Sequence, residues 1–219
     1  MKIKLTDDQR QYIINGKTYS RVSDIAGAGE KPWLEAWKLR VGEVEAERIA
    51  KMSADYGELV HEITMWNDLK KPKGVKEILK QHKGLLHPLL NWQDWVDAYI
   101  EKWILIESII WSEKWRAAGR LDRLGIIKGD RYTTVVDIKT GSLYDEIGVQ
   151  IYGGYVPIYN EWRLIQSKKR QKELPIAMRA LAVNLPRNNP SAIHVKDYTK
   201  AKYLDEFESK AELFQAMNK

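Results

Sequence analysis

Asp122, Asp137 and Lys139 are residue types at spacings that can do chemistry together. Gly129-Asp130 lies midway between two strand-like stretches, and a two-residue loop opening with glycine marks a type II′ hairpin. With that loop, Lys128 pairs with Arg131, and counting back along both strands sets Asp122 opposite Asp137, Cβ atoms about 5 Å apart. Two facing carboxylates repel, and a charge inside the apolar run Val135-Val136-Asp137-Ile138 is costly unless it is paired or ligated. A divalent cation between the two answers both objections. Lys139, two residues beyond Asp137, shares its face of the strand. An ammonium beside a cation-activated water and a phosphate offsets developing negative charge, so the trio suits phosphodiester hydrolysis. The plain alternative is a salt-bridged face of an exposed strand.

The elements that must position these groups follow from periodicity and turn chemistry. Gln11 to Ile14, Asn15-Gly16 and Lys17 to Ser20 read as a hairpin with a type I′ turn. Pro32 suits the first turn of a helix over 32 to 40. A longer helix over 43 to 69 carries apolar residues at Ile49, Met52, Leu59, Val60, Ile63 and Trp66. A lysine-rich stretch follows from 70 to 83, then a helix from Pro88 to Lys102. Strands are expected at 103 to 111, 115 to 127 and 132 to 140, with Trp103, Trp111 and Trp115 packing in this meander. A helix over 145 to 166, with Pro157 as a candidate kink, leads to strands at 176 to 185 and 192 to 195. Thr199 is the expected cap of a final helix. The reading is one α/β (mixed α+β) domain over 1–219: an N-terminal hairpin and helices to about 102, then a catalytic core over about 103 to 200. A mostly antiparallel, mixed five-stranded sheet flanked by helices lies at its centre.

Composition narrows the chemistry. There are no cysteines, so thiolate catalysis, disulfides and iron–sulfur clusters are excluded, and a metal site must use oxygen and imidazole ligands. Carboxylate-rich sites suit magnesium or manganese. The net charge of +6 permits an acidic partner such as nucleic acid, as it does in many basic proteins that bind nothing anionic. No segment reaches the roughly 20 apolar residues of a membrane span, and the charged opening Met1 to Asp8 lacks a signal-peptide core. The expectation is an intracellular, cytoplasmic protein, or one of the host cytoplasm if a phage encodes it.

Taken together, Gly119-Arg120-Leu121-Asp122, Val135-Val136-Asp137-Ile138-Lys139-Thr140-Gly141 and Gln150 resemble the PD-(D/E)XK nuclease superfamily, in particular its RecB-type exonuclease branch. Gly57 to His61 resembles that branch's glycine-and-histidine helix motif. The entry, Gly16 to Ser23 and Lys31 to Trp37, is similar to phage exonucleases and to the mitochondrial genome maintenance exonuclease. The resemblance spans roughly residues 10 to 200, and the order and spacing of its motifs carry it. It implies a restriction-endonuclease-like core, with Asp122, Asp137 and the backbone carbonyl of Ile138 on a magnesium or manganese ion. His61 would approach the metal from the long helix, and Lys139 would be the motif lysine. Glu107 matches the acidic residue on the strand before the glycine motif. An even-numbered loop after that strand puts Glu107 on the Asp122 face, an odd-numbered one on the other. The family helix places a tyrosine four residues after its glutamine. Here Gly154 holds that place, with Tyr152 and Tyr155 beside it, so the tyrosine is either a nucleic-acid contact or a packing residue of an amphipathic helix.

Lys168, Lys169, Arg170 and Lys172 follow the helix of Gln150 and are candidates, with Tyr155, for contacts to a nucleic-acid backbone. The expected function is a metal-dependent deoxyribonuclease, by resemblance an exonuclease, acting on single-stranded DNA or duplex ends through a metal-activated water. The alternative is a nucleic-acid-binding protein on a nuclease scaffold.

Overall fold

A computed structural model describes residues 2–6 and 11–217. Met1, Asp7 and Asp8 of the charged opening lie outside the described residues. In chain order, the first elements are β1 (Ile3–Leu5), β2 (Gln11–Ile14), β3 (Lys17–Arg21), α1 (Val22–Ala26), α2 (Pro32–Val41), α3 (Glu43–Asp68), α4 (Pro72–Gln81) and α5 (Leu86–Tyr99). Then come β4 (Ile100–Ser112), β5 (Ala117–Ile127), β6 (Thr133–Lys139), α6 (Asp145–Gly148), a π-helical stretch (Val149–Tyr155) and α7 (Val156–Leu164). The chain continues through α8 (Lys168–Glu173), β7 (Ala177–Asn184), β8 (His194–Asp197) and α9 (Lys202–Met217).

The architecture is mixed α+β, and its sheet has eight strands rather than five. The difference lies in the N-terminal hairpin. Asn15 and Gly16 both take positive φ (50° and 84°), as a type I′ turn requires, and Ile14 pairs with Lys17. The hairpin does not stand alone: β1 pairs with β2, and β3 runs parallel to the start of β5 through Ser20↔Ala117 and Arg21↔Ala118. Strands β4, β5 and β6 form the expected antiparallel meander. A long helical crossover then returns the chain to β7, parallel to β6, and β8 closes the edge.

The turn between β5 and β6 corrects one expectation while keeping its consequence. Lys128 does not pair with Arg131; its N–H donates to Tyr99 O at 2.8 Å. Gly129 (φ 76°) occupies the third position of a turn in which Asp130 N–H donates to Ile127 O at 2.9 Å, so the two-residue type II′ loop is not formed. The ladder nevertheless runs Ile126↔Thr133 to Arg123↔Val136. That register, continued by one residue, sets Asp122 opposite Asp137.

Helices cover both faces. On one, α1, the π stretch, α7 and α9 pack through Val22, Tyr155, Tyr159 and Phe207. On the other, Val60 and Ile63 of α3, Ile78 of α4 and Trp92 of α5 pack on Val136, Ile138 and Val183. The lysine-rich stretch is therefore largely the helix α4, its lysines outward and its apolar stripe inward. Met52, in the projecting first half of α3, is 38% exposed rather than packed. Trp103, Trp111 and Trp115 pack against Trp92, Trp162 and Phe207. Thr199 does not cap α9, which begins at Lys202; its hydroxyl accepts the Ala180 N–H at 3.1 Å. No helix among the described residues is long and apolar enough to cross a membrane.

Candidate metal centre

On one edge of β5, β3 pairs at residues 117–118 and β6 at 123–126, so neither covers Gly119 to Asp122. Helix α3 crosses this opening and brings His61 to it. Side-chain ligand atoms of His61, Glu107 and Asp122 lie within 4.8 Å of one another. They line a cleft of about 550 Å³ with Gly57, Glu58, Glu62, Met65 and Arg120.

Each of the three is positioned by identifiable contacts. Asp122 is 8% exposed; its Oδ2 accepts the Ile138 N–H at 2.8 Å and its Oδ1 lies 3.5 Å from His61 Nδ1. His61 places Nε2 3.1 Å from the carbonyl oxygen of Ile138, so the histidine and that carbonyl meet at the site. The connection after β4 is four residues long, since Ser112 pairs with Ala117, and this even number puts Glu107 on the Asp122 face. Glu161 of α7 secures that connection, accepting the Ser112 hydroxyl at 2.6 Å and the Glu113 N–H at 3.0 Å. Glu107 itself takes φ 47°, a left-handed conformation costing a non-glycine residue roughly 1–2 kcal/mol. Such strain persists where surrounding contacts over-determine it.

Those contacts come from Arg123, which the sequence reading did not single out. Its guanidinium is fully buried and donates to Glu107 Oε1 (2.8 Å), Asp68 Oδ2 (2.7 Å), Asp122 O (2.8 Å) and Thr64 Oγ1 (3.2 Å). Trp92 Nε1 donates to the other Asp68 oxygen at 3.0 Å. This network ties Glu107 to the end of α3. The signal was present in the sequence: an arginine inside the apolar stretch Leu121 to Ile127 needs a buried partner.

Asp137 adjoins the trio but is engaged by Lys139, whose Nζ lies 2.7 Å from Oδ2. The buried Oδ2 therefore meets the ammonium directly. Electrostatics follow from this crowding. Burial raises the Asp122 carboxyl to about 6; His61 opposes the rise, and the Asp137 and Glu107 carboxylates add to it. Burial disfavours the His61 cation, but Asp122, Glu107 and Asp137 together outweigh it and lift the imidazole to about 9. Burial likewise works against the Lys139 ammonium and is outweighed by Asp137 and Asp122, leaving its pKa raised.

Gln150 sits on the π-helical stretch, and this changes the reading of Tyr155. A π turn bonds residue i to i+5, so residues five apart adjoin as residues four apart do in an α-helix. The Tyr155 hydroxyl accordingly lies on the same side of the turn as the Gln150 side chain, close enough for the two to interact. Its ring packs on Gly119, where a Cβ would lie 2.6 Å from Cε1. Tyr155 is 5% exposed, so it is a buried packing residue and not a surface contact for nucleic acid. Pro157 lies in the first turn of α7, just after the π stretch.

The basic run is not part of this cleft. Lys168, Lys169, Arg170 and Lys172 form α8 beyond the far end of α7, separated from Gln150 by 14 residues of helix, about 20 Å of rise. Arg170 pairs with Glu173 at 2.8 Å.

The chain matches no family model and no curated protein. Among solved structures it is similar to one described as "Crystal structure of SSO0001", at 15% identity and a TM-score of 0.36, covering 88% of this chain and 75% of that one. A likeness of that degree carries no inference.

Proposed function

We propose that the chain is a divalent-metal-dependent nuclease of the PD-(D/E)XK type acting on DNA; the exonucleolytic reading rests on the resemblance to the RecB-type branch. The carrying observation is the convergence of His61, Glu107 and Asp122 beside the Asp137–Lys139 pair. An antiparallel meander, a helical crossover and a parallel strand around that point support a restriction-endonuclease-like core.

The donor set fits magnesium or manganese: oxygen and imidazole ligands, and crowded carboxylates whose repulsion a cation relieves. A bound cation supplies Lewis acidity toward a phosphoryl oxygen and lowers the pKa of water. His61, Glu107 and Asp122 would hold it, with Asp137 and the Ile138 carbonyl adjoining. Lys139, kept protonated by Asp137, presents an N–H to the phosphate and offsets its growing charge. Arg120, exposed on the cleft wall two residues before Asp122, offers a second cation to the backbone. Tyr155 is buried close to Asp137 and Asp122, and Gln150, beside it, would contact the nucleic-acid backbone or position Lys139.

The test is end-labelled single- and double-stranded DNA incubated with magnesium, manganese or EDTA. Cleavage that requires the cation and is lost in Asp122→Asn supports the reading. Cation-independent binding without cleavage would leave only a nucleic-acid-binding scaffold.

A further inference from the structure

A second polar cleft, of about 670 Å³, opens at the carboxyl ends of the parallel strands β6 and β7. Loops diverge from the sheet at such ends, which is why open α/β sheets hold ligands there. Leu185 N–H donates to Lys139 O at 2.8 Å and Arg187 N–H to Thr140 O at 3.3 Å, so the two loops are fastened at their bases. Ser142, Asn184, Arg187 and His194 line the cleft, Ser53 of α3 faces it, and no carboxylate is among its lining residues.

Two features tie this cleft to a ligand and to the metal centre. Asn184 is 7% exposed, yet its Oδ1 is buried without a hydrogen-bond partner. With Oδ1 turned into the protein and unpaired, the amide is held by no hydrogen bond of its own among the described residues, and its Nδ2 is the group free to meet a ligand. Asn184 also pairs with Lys139 across the parallel ladder, so the cleft begins one strand from the candidate catalytic ammonium. The clefts adjoin where Gly57, lining the first, meets Thr140, lining the second: a Cβ at Gly57 would be 3.5 Å from Thr140 Oγ1.

We propose that this second cleft is a substrate subsite for the phosphate next to the scissile one on the same DNA strand, an inference that rests on the nuclease reading. Arg187, exposed and 5.9 Å from the Tyr56 ring, supplies the charge. Asn184 offers its amide Nδ2, which no acceptor among the described residues engages, to a phosphate oxygen, and Ser142 and His194 complete the donor set. The absence of lining carboxylates favours an anion over a cation or a basic peptide.

The experiment uses end-labelled single-stranded DNA in manganese, with wild type, Arg187→Ala, Arg187→Lys and Asn184→Leu. Arg187→Ala is expected to raise KM about tenfold, the effect of losing one hydrogen bond to a charged group, with kcat within about twofold. Asn184→Leu should raise KM in the same direction, and Arg187→Lys should recover part of the loss. A single neutral methylphosphonate, moved along the strand, should raise the wild-type KM by the same factor at one position beside the cleaved bond and add nothing in Arg187→Ala. Unchanged KM in both Arg187→Ala and Asn184→Leu, or a methylphosphonate effect that adds fully to Arg187→Ala, overturns the subsite while wild-type cleavage leaves the nuclease reading standing. Wild type that neither cleaves in manganese nor binds the strand in calcium overturns that reading, and the subsite with it.

Discussion

The carboxylate of Asp122 accepts the main-chain N–H of Ile138 at 2.8 Å, across the point where the β5–β6 ladder stops. One oxygen thereby replaces a strand as partner for a buried amide, and the other is left facing His61. The same side chain completes the sheet and opens the cleft, so its two roles separate by substitution.

Asp122→Asn keeps an acceptor for Ile138 and removes the charge. It should fold normally, bind manganese at least tenfold more weakly and lose cleavage. Asp122→Ala should in addition be less stable than Asp122→Asn by about 1–3 kcal/mol, because it orphans the buried N–H. Calorimetric titration and urea unfolding read the two effects; equal stability of the variants would remove the structural role.

His61 gives the metal-free protein a pH signature. Its folded-state pKa of about 9 exceeds the ordinary 6.5, so the folded state binds the proton more tightly. That stabilisation is fully present below about 6.5 and is lost as pH rises through about 9. The melting temperature in EDTA should fall across this window, and His61→Gln should flatten the fall. An equal slope in His61→Gln would show that another group is responsible.

Lys139→Ala leaves His61, Glu107 and Asp122 in place, so manganese affinity should change little. Turnover should drop by about 10²-fold, the scale of a lost charge-stabilising donor. Loss of metal binding with fast turnover by the remaining loaded enzyme would make the lysine structural instead.

Arg123 is fully buried among Asp68, Glu107 and Thr64. Removing one member of a buried ion network strands the others, so Arg123→Ala should cost about 3–5 kcal/mol in urea unfolding. Glu107 would also lose the contact that holds its left-handed backbone, and metal affinity should fall with stability. A cost under 1 kcal/mol would contradict the network.

Gly119 and Tyr155 form a coupled pair. A methyl at 119 would meet the Tyr155 ring at 2.6 Å, so Gly119→Ala should destabilise by about 1–3 kcal/mol. In Tyr155→Leu the same change should cost clearly less. Additive costs in this double-mutant cycle would mean the two do not pack as described.

Local physics made much of this molecule legible from its sequence. Asn15-Gly16 forces its hairpin because few other residues accept positive φ twice in succession, and the limits of α3 follow from a stripe repeating at helical period. The facing of Asp122 and Asp137 was legible too, through alternation along two adjacent strands, even though the turn joining them differs from the one inferred. What rests on distant contacts was not legible. Glu161, 48 residues beyond Glu113, holds the four-residue connection that puts Glu107 on the Asp122 face. The π stretch that joins Gln150 to Tyr155 depends on Gly153 and Gly154 packing tightly under α9 and α1. The eight-stranded sheet depends on β3 meeting a strand nearly a hundred residues away. Period and turn chemistry act within a few residues of chain; which charges end up sharing one buried space is decided only when the packed layers close around them.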